Sequence, residues 1–168
     1  MTVRVMLVSP AMNAALREAR FDGDAPLDRA GERSARAAAS ALPRYGPVLS
    51  GPSERCLGTA AALGLAARPE RALSGWDLGG WSGRRLDEVS AAEPAAVAAW
   101  IGDPAAAPHG GESLRALVDR VRGWLDGAGG ADVLVAPLWQ CLFPDVLRQG
   151  RLQLMLEVGF AGCGEKRH

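Results

Sequence analysis

Net charge is what this chain most plainly lacks. Nineteen basic residues balance nineteen acidic ones, so no overall field draws it to nucleic acid or to an anionic membrane surface. A small molecule or a protein is the expected partner. Cysteine is sparse, and Cys56, Cys141 and Cys163 lie far apart. They form neither an even disulfide framework nor a Cys-x-x-Cys metal knuckle, so a reducing cytoplasm fits and no metal or cofactor is expected. No run of about 18 apolar residues occurs, and the apolar stretch Val5 to Val8 is too short for a signal-peptide core. Neither a targeting segment nor a membrane span is read. Histidine is scarce as well: His109 and His168 are the two. His168 reads as terminal and exposed. His109 sits in a loop, where exposure is the ordinary state and lining a site the alternative. No internal repeat and no second domain is visible.

What is present describes an ordinary globule, with 168 residues, 48% hydrophobic and 23% charged, long enough for one sizeable core. The organising stretch is Ser50-Gly-Pro-Ser-Glu-Arg-Cys-Leu-Gly-Thr-Ala60. Gly46 to Ser50 supplies a short apolar strand closed by Gly51 and Pro52, and Glu54 to Ala67 reads as a helix. Backbone N–H groups at a helix start that faces a strand tip favour an anion. Arg55 either adds a forked, permanently charged donor there or solvates the helix surface.

The rest of the chain alternates in the same way. Val3 to Val8 reads as a buried strand stopped by Ser9 and Pro10. Asp28 can cap a helix from Arg29 to Leu42. Ala91 to Trp100 reads as a helix containing Pro94. Ser113 can cap another, in which Leu114, Leu117, Val118, Val121 and Leu125 recur at helical spacing up to Gly127. Ala131 to Ala136 is a second buried strand, Cys141 to Arg148 a short helix, and Arg151 to Val158 a last strand near an edge.

The pattern Ser50-x-Pro-x-x-Arg-x-x-x-Thr-Ala resembles one from the histidine phosphatase superfamily, the phosphoglycerate mutase-like proteins. Five further segments follow in that family's order. Residues 3–11 resemble its first strand. Pro26-Leu-Asp-x-x-Gly31 resembles its Pro-Leu-Thr-x-x-Gly. Gly75-x-Asp-Leu-Gly-Gly-Trp-Ser-Gly83 resembles its Glu-x-Asp-Phe-Gly-x-Trp-Glu-Gly. Trp100 to Pro104 with Pro108-His-Gly-Gly-Glu-Ser113 matches a helical insertion, and the strand before Pro137 matches its second active-site strand. The resemblance implies an α/β fold, a three-layer α/β/α sandwich forming one domain over 1–168. A small helical insertion at about 84–112 should cover the C-terminal ends of the strands.

The same resemblance implies lost chemistry. Ser9 stands for the family's arginine, Pro10 for its phosphorylated histidine, Gly75 for its proton-donating glutamate and Leu138 for its second histidine; Arg55 is retained. Phosphohistidine chemistry needs an imidazole in line with phosphorus, and proline and leucine offer none. The expectation is a protein without phosphatase or mutase activity that binds a small anionic or apolar molecule or a protein partner. The alternative is an enzyme running other chemistry in the same pocket, in a specialised biosynthetic pathway. Asp77, His109, Glu112 and Ser9 are then the candidate acid, base or nucleophile groups, although Asp77 also reads as a solvated or capping residue. Arg55, Ser9, Pro10, Leu138 and Trp139 are the candidate ligand-binding residues, because the strand tips have turned apolar. Cys141 as a substitute nucleophile lacks an identifiable activating partner.

Overall fold

The computed structural model describes residues 6–42, 45–127, 133–136 and 154–157. Five strands form one sheet: β1 (Met6–Ser9), β2 (Val48–Ser50), β3 (Arg68–Pro69), β4 (Val133–Val135) and β5 (Leu154–Glu157). Their order is β3-β2-β4-β1-β5, and every pairing is parallel. Parallel neighbours need crossovers, and among the described residues six α-helices lie between β1 and β4: α1 (Ala14–Arg17), α2 (Arg29–Ala38), α3 (Glu54–Ala62), α4 (Leu86–Ala92), α5 (Pro94–Gly102) and α6 (Leu114–Gly127).

Strand alternation sorts the apolar residues into two layers. Met6, Val8, Val48 and Val135 face Ala35, Cys56, Ala60 and Leu63 of the α2/α3 side. Leu7 and Leu49 point the other way, onto Leu73 and onto Leu117 and Val121 of α6. Each fully buried Val or Leu contributes about 1.5–3 kcal/mol of transfer free energy, so these short strands are held by both layers together. The α/β architecture expected from the sequence is the one observed. The ladder also runs past the strands: Ala136 donates its N–H to the Val8 carbonyl at 3.1 Å, and Gly51 to the Val135 carbonyl at 2.8 Å. The ends of β1, β4 and β2 are thereby fixed side by side, at the edge where an open parallel sheet presents its ligands.

Several boundaries differ from the expected ones for local reasons. The chain after Ala38 tightens into a 3-10 turn at Ala39–Ala41, so α2 is shorter than expected. Gly64, at φ +75°, takes the left-handed conformation that closes α3 well before Ala67. The single helix expected over Ala91 to Trp100 is two, because Pro94 opens α5 at its first turn, where a missing N–H costs nothing. The caps are as expected: Asp28 accepts from Gly31 at 2.8 Å, and Ser113 from Ala116 at 3.1 Å. β5 lies at the sheet edge. The helix expected at Cys141 to Arg148 lies outside the described residues.

A third cluster combines rings with aliphatic side chains. Leu78, Trp81, Val89 and Val97 are buried there, with Phe21, Trp76 and Trp100 packed against them. Trp81 stacks on Phe21 at 5.6 Å between centroids and meets Trp100 edge-on, also at 5.6 Å. The cluster joins α4 and α5 to the Phe21 loop, aided by Glu93, whose carboxylate receives Trp81 Nε1 at 3.2 Å and Arg84 at 2.8 Å. Among the described residues, no helix is long and apolar enough to cross a membrane.

Candidate functional site

Arg55 is the charged group at the strand tips, and it is 6% exposed. It occupies the first turn of α3, whose start is set by Ser53 as the capping residue. Thr59, one turn on, donates its hydroxyl to the Arg55 carbonyl at 2.8 Å and accepts the Ala11 N–H at 3.0 Å. That bond straps α3 to the segment just after β1. The Arg55 guanidinium therefore lies beside the β1 tip, with Nη1 making a long 3.5 Å contact to the Ala11 carbonyl. The surface reading of Arg55 is thus excluded.

Satisfaction of this guanidinium is incomplete. Nη2 meets Asp22 Oδ2 at 3.1 Å, while the buried Nε has no hydrogen-bond partner among the described residues. A buried N–H without an acceptor costs about 1–3 kcal/mol, a cost that water or a ligand oxygen would remove. Asp24, from the same loop, places Oδ1 at 2.8 Å from the Glu54 N–H. The donors at the start of α3 thus already receive a side-chain carboxylate, and the arginine receives a second. Sequence reasoning put its candidate anion site on this helix start but did not include Asp22 and Asp24, the carboxylates that the fold brings there. The Asp-Gly-Asp triplet, a turn-forming sequence beside a predicted helix cap, was the available signal.

The remaining candidates divide between two places. Ser9 ends β1 and is half-buried, and Pro10 next to it is buried. Asp77, His109 and Glu112 instead meet where two loops cross. The Glu112 N–H bonds the Asp77 carbonyl at 2.8 Å, and the Gly80 N–H bonds the His109 carbonyl at 2.9 Å. Glycine is obligatory at this crossing: a Cβ on Gly79 would fall 2.2 Å from the His109 carbonyl oxygen, and one on Gly111 2.2 Å from that of Asp77. Leu138 and Trp139 lie outside the described residues.

The structure gives these three side chains supporting tasks. Asp77 is exposed and accepts the Gly79 N–H at 2.9 Å, a local turn bond in line with the solvated or capping reading that the sequence favoured. Glu112 forms a two-bond pair with Arg120, both at 2.8 Å, and its carbonyl accepts from Trp76 Nε1 at 2.6 Å. His109 was expected to be exposed; it is 6% exposed, because the rings of Trp81 and Trp76 close over it. Its Nδ1 accepts the Gly111 N–H at 3.1 Å, so the neutral ring carries its proton on Nε2, which is buried without a partner. Burial lowers the His109 pKa, against a smaller opposing pull from Asp77. Cys56, beside Arg55, is no nucleophile in this fold: burial pushes its thiol up to about 11.

Residues 11–132 match the histidine phosphatase superfamily (branch 1), and the chain belongs to that superfamily. A glucosyl-3-phosphoglycerate phosphatase of Mycolicibacterium vanbaalenii is 41% identical over 103 residues, covering 58% of this chain and 46% of that protein. A bifunctional protein of Mycobacterium tuberculosis is 32% identical over 145 residues, covering 79% of this chain and 40% of its own length. The chain therefore spans about half or less of these curated relatives. Among solved structures, the native mycobacterial glucosyl-3-phosphoglycerate phosphatase superposes with a TM-score of 0.69 at 29% identity, over 84% of this chain and 78% of that one. These findings support the expected phosphoglycerate mutase-like fold. They overturn the expected function: relatives bearing the name of a phosphatase point to a phosphatase, not to a non-catalytic binder or to unrelated pocket chemistry.

Proposed function

We propose that this protein is a phosphatase for a small, doubly anionic phosphate ester of the glucosyl-3-phosphoglycerate type. What carries the reading is the naming of its relatives as glucosyl-3-phosphoglycerate phosphatases, at up to 41% identity. The buried Arg55, whose Nε lacks a partner, supports it as a seat for the phosphoryl oxygens. Small-molecule binding then means binding of this ester at the tips of β1, β2 and β4.

The chemical step has to differ from the one that the superfamily resemblance implies. Pro10 and Leu138 stand where that resemblance puts histidines, and the nitrogen of a proline within the chain is an amide with no lone pair to attack phosphorus. We assign the attack to water. Its oxygen forms the new P–O bond, the bond to the sugar-acid oxygen breaks, and a water proton ends on the released hydroxyl. Arg55 serves by holding charge on the phosphoryl oxygens as it develops.

The test is phosphate release from glucosyl-3-phosphoglycerate by the wild-type chain and by Arg55→Lys, with alkaline- and acid-quench trapping alongside. The expected result is release that falls at least tenfold in Arg55→Lys, with no phosphoenzyme under either quench. A folded wild type that releases no more phosphate than a blank overturns the reading.

A further inference from the structure

We propose that Asp22 is a built-in competitor for the substrate's anionic group, which binds by taking the place of the Asp22 carboxylate on Arg55. This rests on the phosphatase reading for the identity of the natural anion, but its observations are independent of turnover. The Asp22 carboxylate stands 3.1 Å from Arg55 Nη2, the position an anionic ligand's oxygen would take. Arg55's side chain is 7% exposed and that of Asp22 is 30% exposed. The arginine is the fixed member and the aspartate the one able to leave.

The loop is built to hold the carboxylate without locking it. Its base is pinned to the start of the helical segment: Phe21 donates to the Arg84 carbonyl at 2.9 Å, and Gly83 donates to the Phe21 carbonyl at 2.9 Å. Gly23 lies so close to that strip that a Cβ would sit 3.2 Å from the Gly83 nitrogen. Asp24 is held at φ +63°, a left-handed conformation that aspartate tolerates, with its N–H on Asp22 Oδ1 at 3.2 Å. Its own carboxylate meets the Glu54 N–H at 2.8 Å. Displacing Asp22 therefore needs only a side-chain rotation about a fixed backbone, giving up one ion pair and the 3.2 Å bond to Asp24. An incoming phosphate or carboxylate replaces the ion pair and can also supply an acceptor to Nε, which Asp22 leaves without one.

Competition of this kind weakens the binding of every anion by the same factor. A ligand that gives one oxygen to Nη2 and another to Nε makes a contact that Asp22 does not. The test measures binding of inorganic phosphate by calorimetry at low ionic strength, with no turnover involved. Asp22→Asn, which keeps shape and removes charge, is expected to bind phosphate about tenfold tighter than wild type. Asp22→Glu should stay near wild type, and the gain should vanish in Asp22→Asn with Arg55→Lys. An Asp22→Asn affinity within twofold of wild type, or a gain that survives Arg55→Lys, overturns the proposal. Should Asp22→Asn not fold, the Asp22 side-chain carboxyl carbon signal of the wild type is followed by NMR during phosphate addition. Movement of that signal, absent in Arg55→Lys, supports displacement; a static signal at saturating phosphate rejects it. Loss of phosphate release with phosphate binding intact would count against the phosphatase reading alone.

Discussion

Two arginines, on helices that pack against opposite faces of the sheet, are treated in opposite ways. Arg120, on α6, is saturated: Glu112 takes Nε and Nη2 at 2.8 Å each, and the Ala72 carbonyl takes Nη1 at 2.6 Å. The carbonyls of Ser74 and Gly75 lie a further 3.3 to 3.4 Å away. Arg55 is more deeply buried, yet it has one carboxylate at 3.1 Å, one long contact at 3.5 Å and an Nε with no partner. A cation whose donors are all used closes a loop onto a helix. One that is buried with a donor to spare holds an interaction in reserve, and that is a mark of a binding position rather than of a brace. The contrast favours Arg55 as the proposed binding position, while Glu112 is occupied by Arg120.

Substitution can separate the two. Replacing Arg120 by Met should have the largest effect, because it strands a mostly buried Glu112 carboxylate and frees several carbonyls at once; about 2–4 kcal/mol is expected from denaturant unfolding. A loss below about 0.5 kcal/mol would erase the distinction. Arg55→Lys should cost less stability, about 1 kcal/mol, since the ammonium can still meet Asp22. It should instead abolish phosphate binding, which Arg120→Met should leave in place where that variant is folded.

A smaller effect comes from the neighbouring ring cluster. The pKa of His109 is lowered in the folded protein from 6.5, so below that value the unfolded chain takes up a proton that the native chain resists. Stability should therefore be unaffected by this group at neutral pH and fall as the pH drops below about 6.5. The fall from this one group should be less than about 1 kcal/mol in its first pH unit, and His109→Gln should flatten that slope in pH-dependent melts. An unchanged slope would mean that His109 is not held neutral. The smallest signal belongs to Cys56, which lies beside Arg55 but is buried with its thiol raised to about 11. Peptide mapping after iodoacetamide at pH 8 should find it unmodified in the native state.

Much of the scaffold was legible because it rests on local rules. Apolar runs such as Met6 to Val8, the caps Asp28 and Ser113, and the strand-to-helix turn at Ser50 to Arg55 each carry their own signal. Interruptions by a single residue, Gly64 ending α3 and Pro94 splitting α4 from α5, shifted boundaries without altering the order. The site was legible only in its positive half. Arg55 could be read from its place on the helix, but its partner Asp22 comes from a segment 33 positions earlier, and only the folded chain brings them together. His109 reads as exposed until Trp76 and Trp81, contributed by another loop, close over it. The function expected from reading Pro10 and Leu138 in the histidine positions was a binder, whereas the similarity over residues 11–132 and the names of the relatives point to a phosphatase.

The central claim, that Arg55 seats the phosphoryl group of a phosphate ester, is tested most directly by a crystal structure with orthovanadate. The account predicts vanadate oxygens within about 3 Å of the Arg55 guanidinium, Nε included, with the Asp22 carboxylate rotated away. Vanadate bound elsewhere, or no vanadate while the Asp22–Arg55 pair stays intact at saturating concentration, would contradict it.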